Sequence, residues 1–159
     1  MMTIDVKKLI SILNEIPINT YKVSDNTYVV EIKYEDNTYV GTSHCHPDDE
    51  EFKSEIVGFH IAYLRAVKKV LMHYRDLADN EYKIAKKLVI DICQGFEDDL
   101  DEVDPTGRLT DYYYRIAMRV AKYRVAIKQT QKTIHQYLRD QETAINSLRK
   151  AKELKAKED

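Results

Sequence analysis

Thr42-Ser43-His44-Cys45-His46-Pro47-Asp48-Asp49-Glu50-Glu51-Phe52 is the stretch where this chain changes its periodicity. Before it, Val29, Glu31 and Lys33 alternate with Val30, Ile32 and Tyr34, the two-residue repeat of a strand with one buried face. After it, Ile56, Phe59, Tyr63, Val67, Val70, Tyr74 and Leu77 recur every three or four residues, the repeat of a helix. The stretch is therefore read as a strand-to-helix junction. Its carboxylates suit the free N–H groups and partial positive charge of a helix start, so Asp48 or Asp49 is expected to cap the helix, with Pro47 at its entry.

Working towards the N-terminus, segments rich in Tyr, Val and Thr (20–23, 27–34 and 38–44) are separated by Asp25-Asn26 and Glu35-Asp36-Asn37, which favour tight turns. A three-stranded antiparallel meander is expected. Ile4, Leu9, Ile12, Leu13 and Ile16 predict a short helix before it, stopped by Pro17.

Working towards the C-terminus, the helical pattern continues through Tyr82, Ala85, Ile92 and Phe96, with a break or bend left open at Asp79-Asn80. Residues 97–107 read as an acidic loop with a Pro-Thr-Gly turn. Leu109, Tyr113, Ile116, Val120, Tyr123, Ile127, Thr130, Ile134, Tyr137, Gln141, Ala144 and Leu148 step alternately by four and three, a coiled-coil seam. That helix is expected to fold back on the preceding one as a hairpin or to pair with a second copy of the chain. Its end, Lys150 to Asp159, is expected to fray. The expected fold is α+β: an α-β-β-β-α unit over 1–78 and a helical extension over 79–159, together one cooperative domain.

Of the 159 residues, 43% are apolar and 33% charged, and only four are Gly, which suits a globular chain. No apolar run approaches the about 20 residues of a membrane span, and two cysteines are too few for a disulfide framework. A soluble protein of the cytoplasm, without membrane contact, is expected. The net charge of −2 conceals a polarity. Residues 1–107 carry 12 Lys/Arg against 21 Asp/Glu, whereas residues 108–159 carry 13 against six.

His46-Pro47-Asp48-Asp49-Glu50 resembles the signature of zinc-dependent deacetylases acting on N-acetylglucosaminyl lipids and small thiols. That resemblance implies His46 and Asp49 as metal ligands and Asp48 as general base. The following residues hold no paired glycines, the third ligand is missing, and the fold lacks β-α alternation, so no metal, cofactor or catalytic residue is expected. The order α-β-β-β-α resembles double-stranded RNA-binding domains, but Asp48, Asp49, Glu50 and Glu51 stand where those carry phosphate-binding lysines. The first part is expected not to bind nucleic acid. Arg124, Lys128, Lys132, His135 and Arg139 share one helix face, read as a solvated stripe or as a phosphate surface.

Cys45-His46-Pro47-Asp48-Asp49-Glu50-Glu51-Phe52, followed by Gly58 and Ile61-Ala62-Tyr63-Leu64-Arg65-Ala66, resembles a pattern of small phage and prophage proteins. Size, acidic front and helical extension are similar to those of anti-CRISPR inhibitors of Cas9. The resemblance implies a non-enzymatic inhibitor that binds a host defence protein, a Cas9-type nuclease first, through Asp48, Asp49, Glu50, Glu51 and Glu55, with Tyr112 and Tyr114 as anchors. A sponge for a nucleotide immune signal, similar to phage anti-Thoeris proteins, is the alternative, with Arg115 or Arg119 on phosphate. A coiled-coil assembly protein is the third reading.

Overall fold

A computed structural model describes residues 3–46, 54–95 and 106–158, the side chains of 92–95 excepted. The elements are α1 (Val6–Glu15), β1 (Ile18–Ser24), β2 (Thr27–Tyr34), β3 (Asn37–His44), α2 (Glu55–Gly95) and α3 (Arg108–Glu158). The fold is α+β, as the periodicities predict: helix, three-stranded antiparallel sheet in the order β1-β2-β3, then long helices. By contacts the chain groups into two compact units, Met1–Ile12 with Leu71–Ile127, and Leu13–Val70 with Lys128–Asp159.

α1 starts where Asp5 can cap it: the Asp5 Oδ1 accepts from the Lys7 amide at 2.8 Å. Val6, Leu9 and Leu13, spaced three and four apart, are its buried stripe. α2 is not interrupted at Asp79-Asn80. Asp79 there meets Lys83 one turn on, at 3.4 Å, the pairing that suits a helix interior. Among the described residues the α2 start is capped by Ser54, whose Oγ accepts from the Val57 amide at 3.4 Å; the expected caps Asp48 and Asp49 are not among them. Those two residues, with Pro47, Glu50, Glu51, Phe52 and the 97–104 loop, lie outside the described residues.

In the sheet-bearing unit, Tyr39, Gly41 and Ser43 of β3 and Tyr28, Val30 and Ile32 of β2 form one buried face. The register sets Ile18, Thr20 and Lys22 of β1 beside Ile32, Val30 and Tyr28 on that same face. α2 covers it. A Cβ on Gly41 would lie 2.5 Å from the Ala66 amide nitrogen, so β3 rests directly on the α2 backbone between two fully buried alanines, Ala62 and Ala66. A Cβ on Gly58 would lie 2.5 Å from the Tyr28 ring. The buried Ser43 hydroxyl donates to the Gly58 carbonyl at 2.6 Å. α3 packs antiparallel to α2 here, with Lys68 bonded to Gln131 and the His60 and Tyr137 rings 4.7 Å apart.

In the other unit, α3 again runs antiparallel to α2, with Tyr82 stacked on Tyr113 at 5.4 Å. Leu9, Tyr74, Ala78, Ala85, Ile116 and Tyr123 are its core.

The seam of α3 is therefore buried by this chain's own residues at Ile116, Val120, Tyr123 and Ile134. Its last heptad is not where strict alternation puts it. Ile145 is buried at 8% exposure, whereas Leu148 is 49% exposed. A seven-residue repeat lags a 3.6-residue helix by about 20° per heptad, so over five heptads the lag amounts to about one residue. Helix also persists to Glu158 rather than fraying from Lys150. Ala151, Glu153 and Leu154 are strong helix formers, and Lys155 and Lys157 oppose the negative helix end.

Candidate partner-binding face

Glu55 is the first residue of α2 and the only expected acidic contact among the described residues. Its carboxylate accepts from Lys22 Nζ at 2.6 Å, tying the helix start to β1, and that bond holds the Lys22 pKa above its ordinary value. Both side chains stay largely in water, so the pair orients the carboxylate more than it stabilises the fold. Beside it Ile56 is 83% exposed, and Ile18, Tyr21 and Val23 of β1 are also exposed. Covering an aliphatic side chain of that size is worth about 1.5–3 kcal/mol. Asp48, Asp49, Glu50 and Glu51 lead into this helix start along the chain but lie outside the described residues.

Where β3 ends, His44, Cys45 and His46 border a cleft of about 330 Å³ against Gln141, Glu142 and Arg149 of α3. Cys45 is buried, as a small apolar residue would be, with its Sγ 3.6 Å from the His46 carbonyl. The His44 Nδ1 lies 2.9 Å from Thr27 Oγ1. His60 packs on Tyr137, His73 on Tyr74, and His135 bonds to Gln131. The imidazoles are thus distributed over separate contacts. Among the described residues no three His, Cys, Asp or Glu side chains gather in a way that could hold a metal ion. No described helix is long and apolar enough to cross a membrane.

The aromatic and basic candidates on α3 divide by what they touch. Tyr112 is half-buried and donates to Glu81 Oε1 at 3.0 Å, while Tyr114 is 63% exposed and remains available as an anchor. Arg119 donates to the Thr3 carbonyl, and Arg115 pairs with Asp111 one turn back. These two guanidiniums therefore do not converge on a shared anion site. Arg124 reaches Asp79 at 3.8 Å. Arg139 bonds Gln136 at 2.8 Å, while Lys128 and Lys132 are exposed on the same flank. Between Asp111 and Asp140 the sequence has seven Lys/Arg and no acidic residue.

Sequence reasoning missed Glu81. It is 8% exposed, its Oε2 accepts from the Thr3 amide at 2.9 Å and the Thr3 hydroxyl at 2.7 Å, and Tyr112 binds its other oxygen. Burial by itself would raise the Glu81 pKa, but the Thr3 and Tyr112 donors and the nearby Arg119 charge outweigh it and hold the pKa below the ordinary value. Burial and the Glu81 charge push Tyr112 upward. With Tyr123 donating to the Ile4 carbonyl at 2.8 Å, the network straps residues 3–4 to the helices. A lone Glu on a helix full of charges gives no local sign of this. The residues missed at the sheet, Arg65 and Lys69, cap carbonyls of β3 (Thr42 O at 2.8 Å and Val40 O at 2.6 Å).

Gly58 and the stretch Ile61–Ala66 have a structural meaning in this fold: Gly58 seats Tyr28, Ala62 and Ala66 seat Gly41, and Arg65 caps Thr42. Comparison with known proteins finds no matching family model, no matching curated protein and no matching solved structure.

Proposed function

We propose that this chain is a non-enzymatic binding protein that occupies a basic surface of a host defence protein, as the anti-defence proteins of phages do, with a Cas9-type nuclease as the first target to test. The observation that carries the reading is the exposed Ile56 beside Glu55 at the start of α2, three residues (Phe52, Lys53 and Ser54) beyond a run of four consecutive carboxylates in the sequence. An apolar anchor near a net acidic segment supports a docked complex: the anchor supplies affinity and the charge supplies steering and choice of partner.

The test is inhibition of DNA cleavage by a panel of Cas9-type nucleases, alongside pull-down from host lysate with mass spectrometry. Replacing Asp48, Asp49, Glu50 and Glu51 by Lys, or Ile56 by Asp, is expected to abolish capture and inhibition of the target without changing the far-ultraviolet circular dichroism. Inhibition that survives both changes overturns the reading.

A further inference from the structure

We infer that β1 is the site of self-association, pairing antiparallel with β1 of a second copy about Thr20 to make one six-stranded sheet. The inference stands on the sheet alone and does not depend on the proposed target.

The two edges of the sheet are treated differently. Hydrogen-bonding direction follows from one contact: the Cys45 amide donates to the Asn26 carbonyl at 2.8 Å, continuing the β2–β3 ladder. The register pairs Tyr28 with Ser43, Val30 with Gly41 and Ile32 with Tyr39. Stepping by two from the Asn26–Cys45 pair, these are the hydrogen-bonded pairs, because antiparallel partners alternate. The backbone groups of Val40 and Thr42 therefore point to the open side of β3. There the carbonyls are covered, by Lys69 on Val40 and Arg65 on Thr42. Charged side chains on edge carbonyls are a recognised way to prevent strand addition.

The same alternation fixes the other edge. Val29 and Glu31 point to β1 and bond Tyr21 and Asn19, their register partners. The N–H and C=O groups of Ile18, Thr20 and Lys22 consequently point away from the sheet. All seven residues of β1 are exposed, and among the described residues no side chain caps these carbonyls. Six unpaired groups at two-residue spacing form a template for another strand.

That template fits itself. About a two-fold axis at Thr20, Thr20 meets Thr20 of the copy, Ile18 meets Lys22 and Lys22 meets Ile18, so all six groups are bonded. Thr opposite Thr is a favourable cross-strand pair, and the aliphatic stem of Lys22 lies against Ile18. The one charge on the strand, Lys22, does not meet itself. The segment carries no carboxylate and no proline, either of which would oppose strand addition. A seam dimer through α3 has no comparable template, since Ile116, Val120, Tyr123 and Ile134 of the seam are buried within the chain.

The experiment is sedimentation equilibrium of the full chain over a concentration series, with circular dichroism to confirm folding. The wild-type protein is expected to go from monomer to twice the chain mass as concentration rises. Thr20→Pro removes an amide that points to the open edge and leaves the β1–β2 ladder intact, a position where an edge strand tolerates proline. It is expected to stay monomeric. Thr20→Asp puts two carboxylates face to face at the axis, and Ile18→Lys puts like charges opposite each other; both are expected to abolish the dimer while folding normally. A wild-type protein that is monomeric throughout overturns the inference, as does a dimer that persists in folded Thr20→Asp and Ile18→Lys proteins.

Discussion

Gly41 and Ala62 meet backbone to backbone: a Cβ added at Gly41 would fall on the Ala62 carbonyl oxygen and within 2.5 Å of the Ala66 amide nitrogen. Neither atom belongs to a flexible side chain, so β3 and α2 must separate to admit even one methyl group. Gly41→Ala is expected to destabilise the fold by about 3 kcal/mol or more, at the upper end of overpacking costs. Urea denaturation measures it. A loss below about 1 kcal/mol would show that the strand and helix are not in backbone contact.

Glu81 is held as a carboxylate by Thr3, Tyr112 and the nearby Arg119 charge, and its pKa lies below the ordinary 4.5. A depressed carboxylate contributes stability that is present above its unfolded pKa and lost as pH falls through the folded value. Unfolding free energy is therefore expected to decline below about pH 4.5, with Glu81→Gln showing a shallower acid slope than the wild type. Glu81→Ala leaves the half-buried Thr3 and Tyr112 donors without their acceptor and is expected to cost about 1–2 kcal/mol at neutral pH. Denaturant titrations at a series of pH values read both effects.

The burial of Ile145 and the exposure of Leu148 give opposite expectations for two truncations on one helix. Ile145→Ala is expected to cost about 2 kcal/mol or more, whereas Leu148→Ala should stay within about 0.5 kcal/mol of wild type. Equal losses, measured by thermal or urea unfolding, would return the seam to the strict seven-residue repeat.

Glu35 turns β2 into β3 with φ at 50°, in the left-handed region that side chains with a Cβ avoid. Glu35→Gly removes that steric cost and is expected to raise stability by a few tenths to about 1 kcal/mol, even though glycine loosens the unfolded chain. A lowered melting temperature would contradict it.

The element order was legible in the sequence because its signals are local. Asp25-Asn26 and Glu35-Asp36 mark the turns between strands, and Pro17 follows one residue after the residue that ends the first helix pattern. Thr27–Tyr34 shows its alternation within eight residues. Where the signal accumulates over distance, it failed. The seam reading slipped by one residue at Ile145 because a heptad count does not carry the helix's fractional turn. The candidate site was legible only as composition. Tyr112 was expected as an anchor and Arg115 or Arg119 as a phosphate ligand; their side chains are directed at Glu81, Asp111 and Thr3.

By itself the sequence determined an α+β chain with a three-stranded meander, a strand-to-helix junction at residues 44–54 and two long helices, since periodicity and turn chemistry act over a few residues. Only the tertiary structure decided that Thr3 and Glu81, 78 positions apart, share a buried network, that Gly41 touches α2, and that Arg65 and Lys69 close one edge of the sheet while β1 leaves the other open. Those outcomes depend on which side chain arrives at which backbone group once the elements pack, and no stretch of neighbouring residues encodes that meeting.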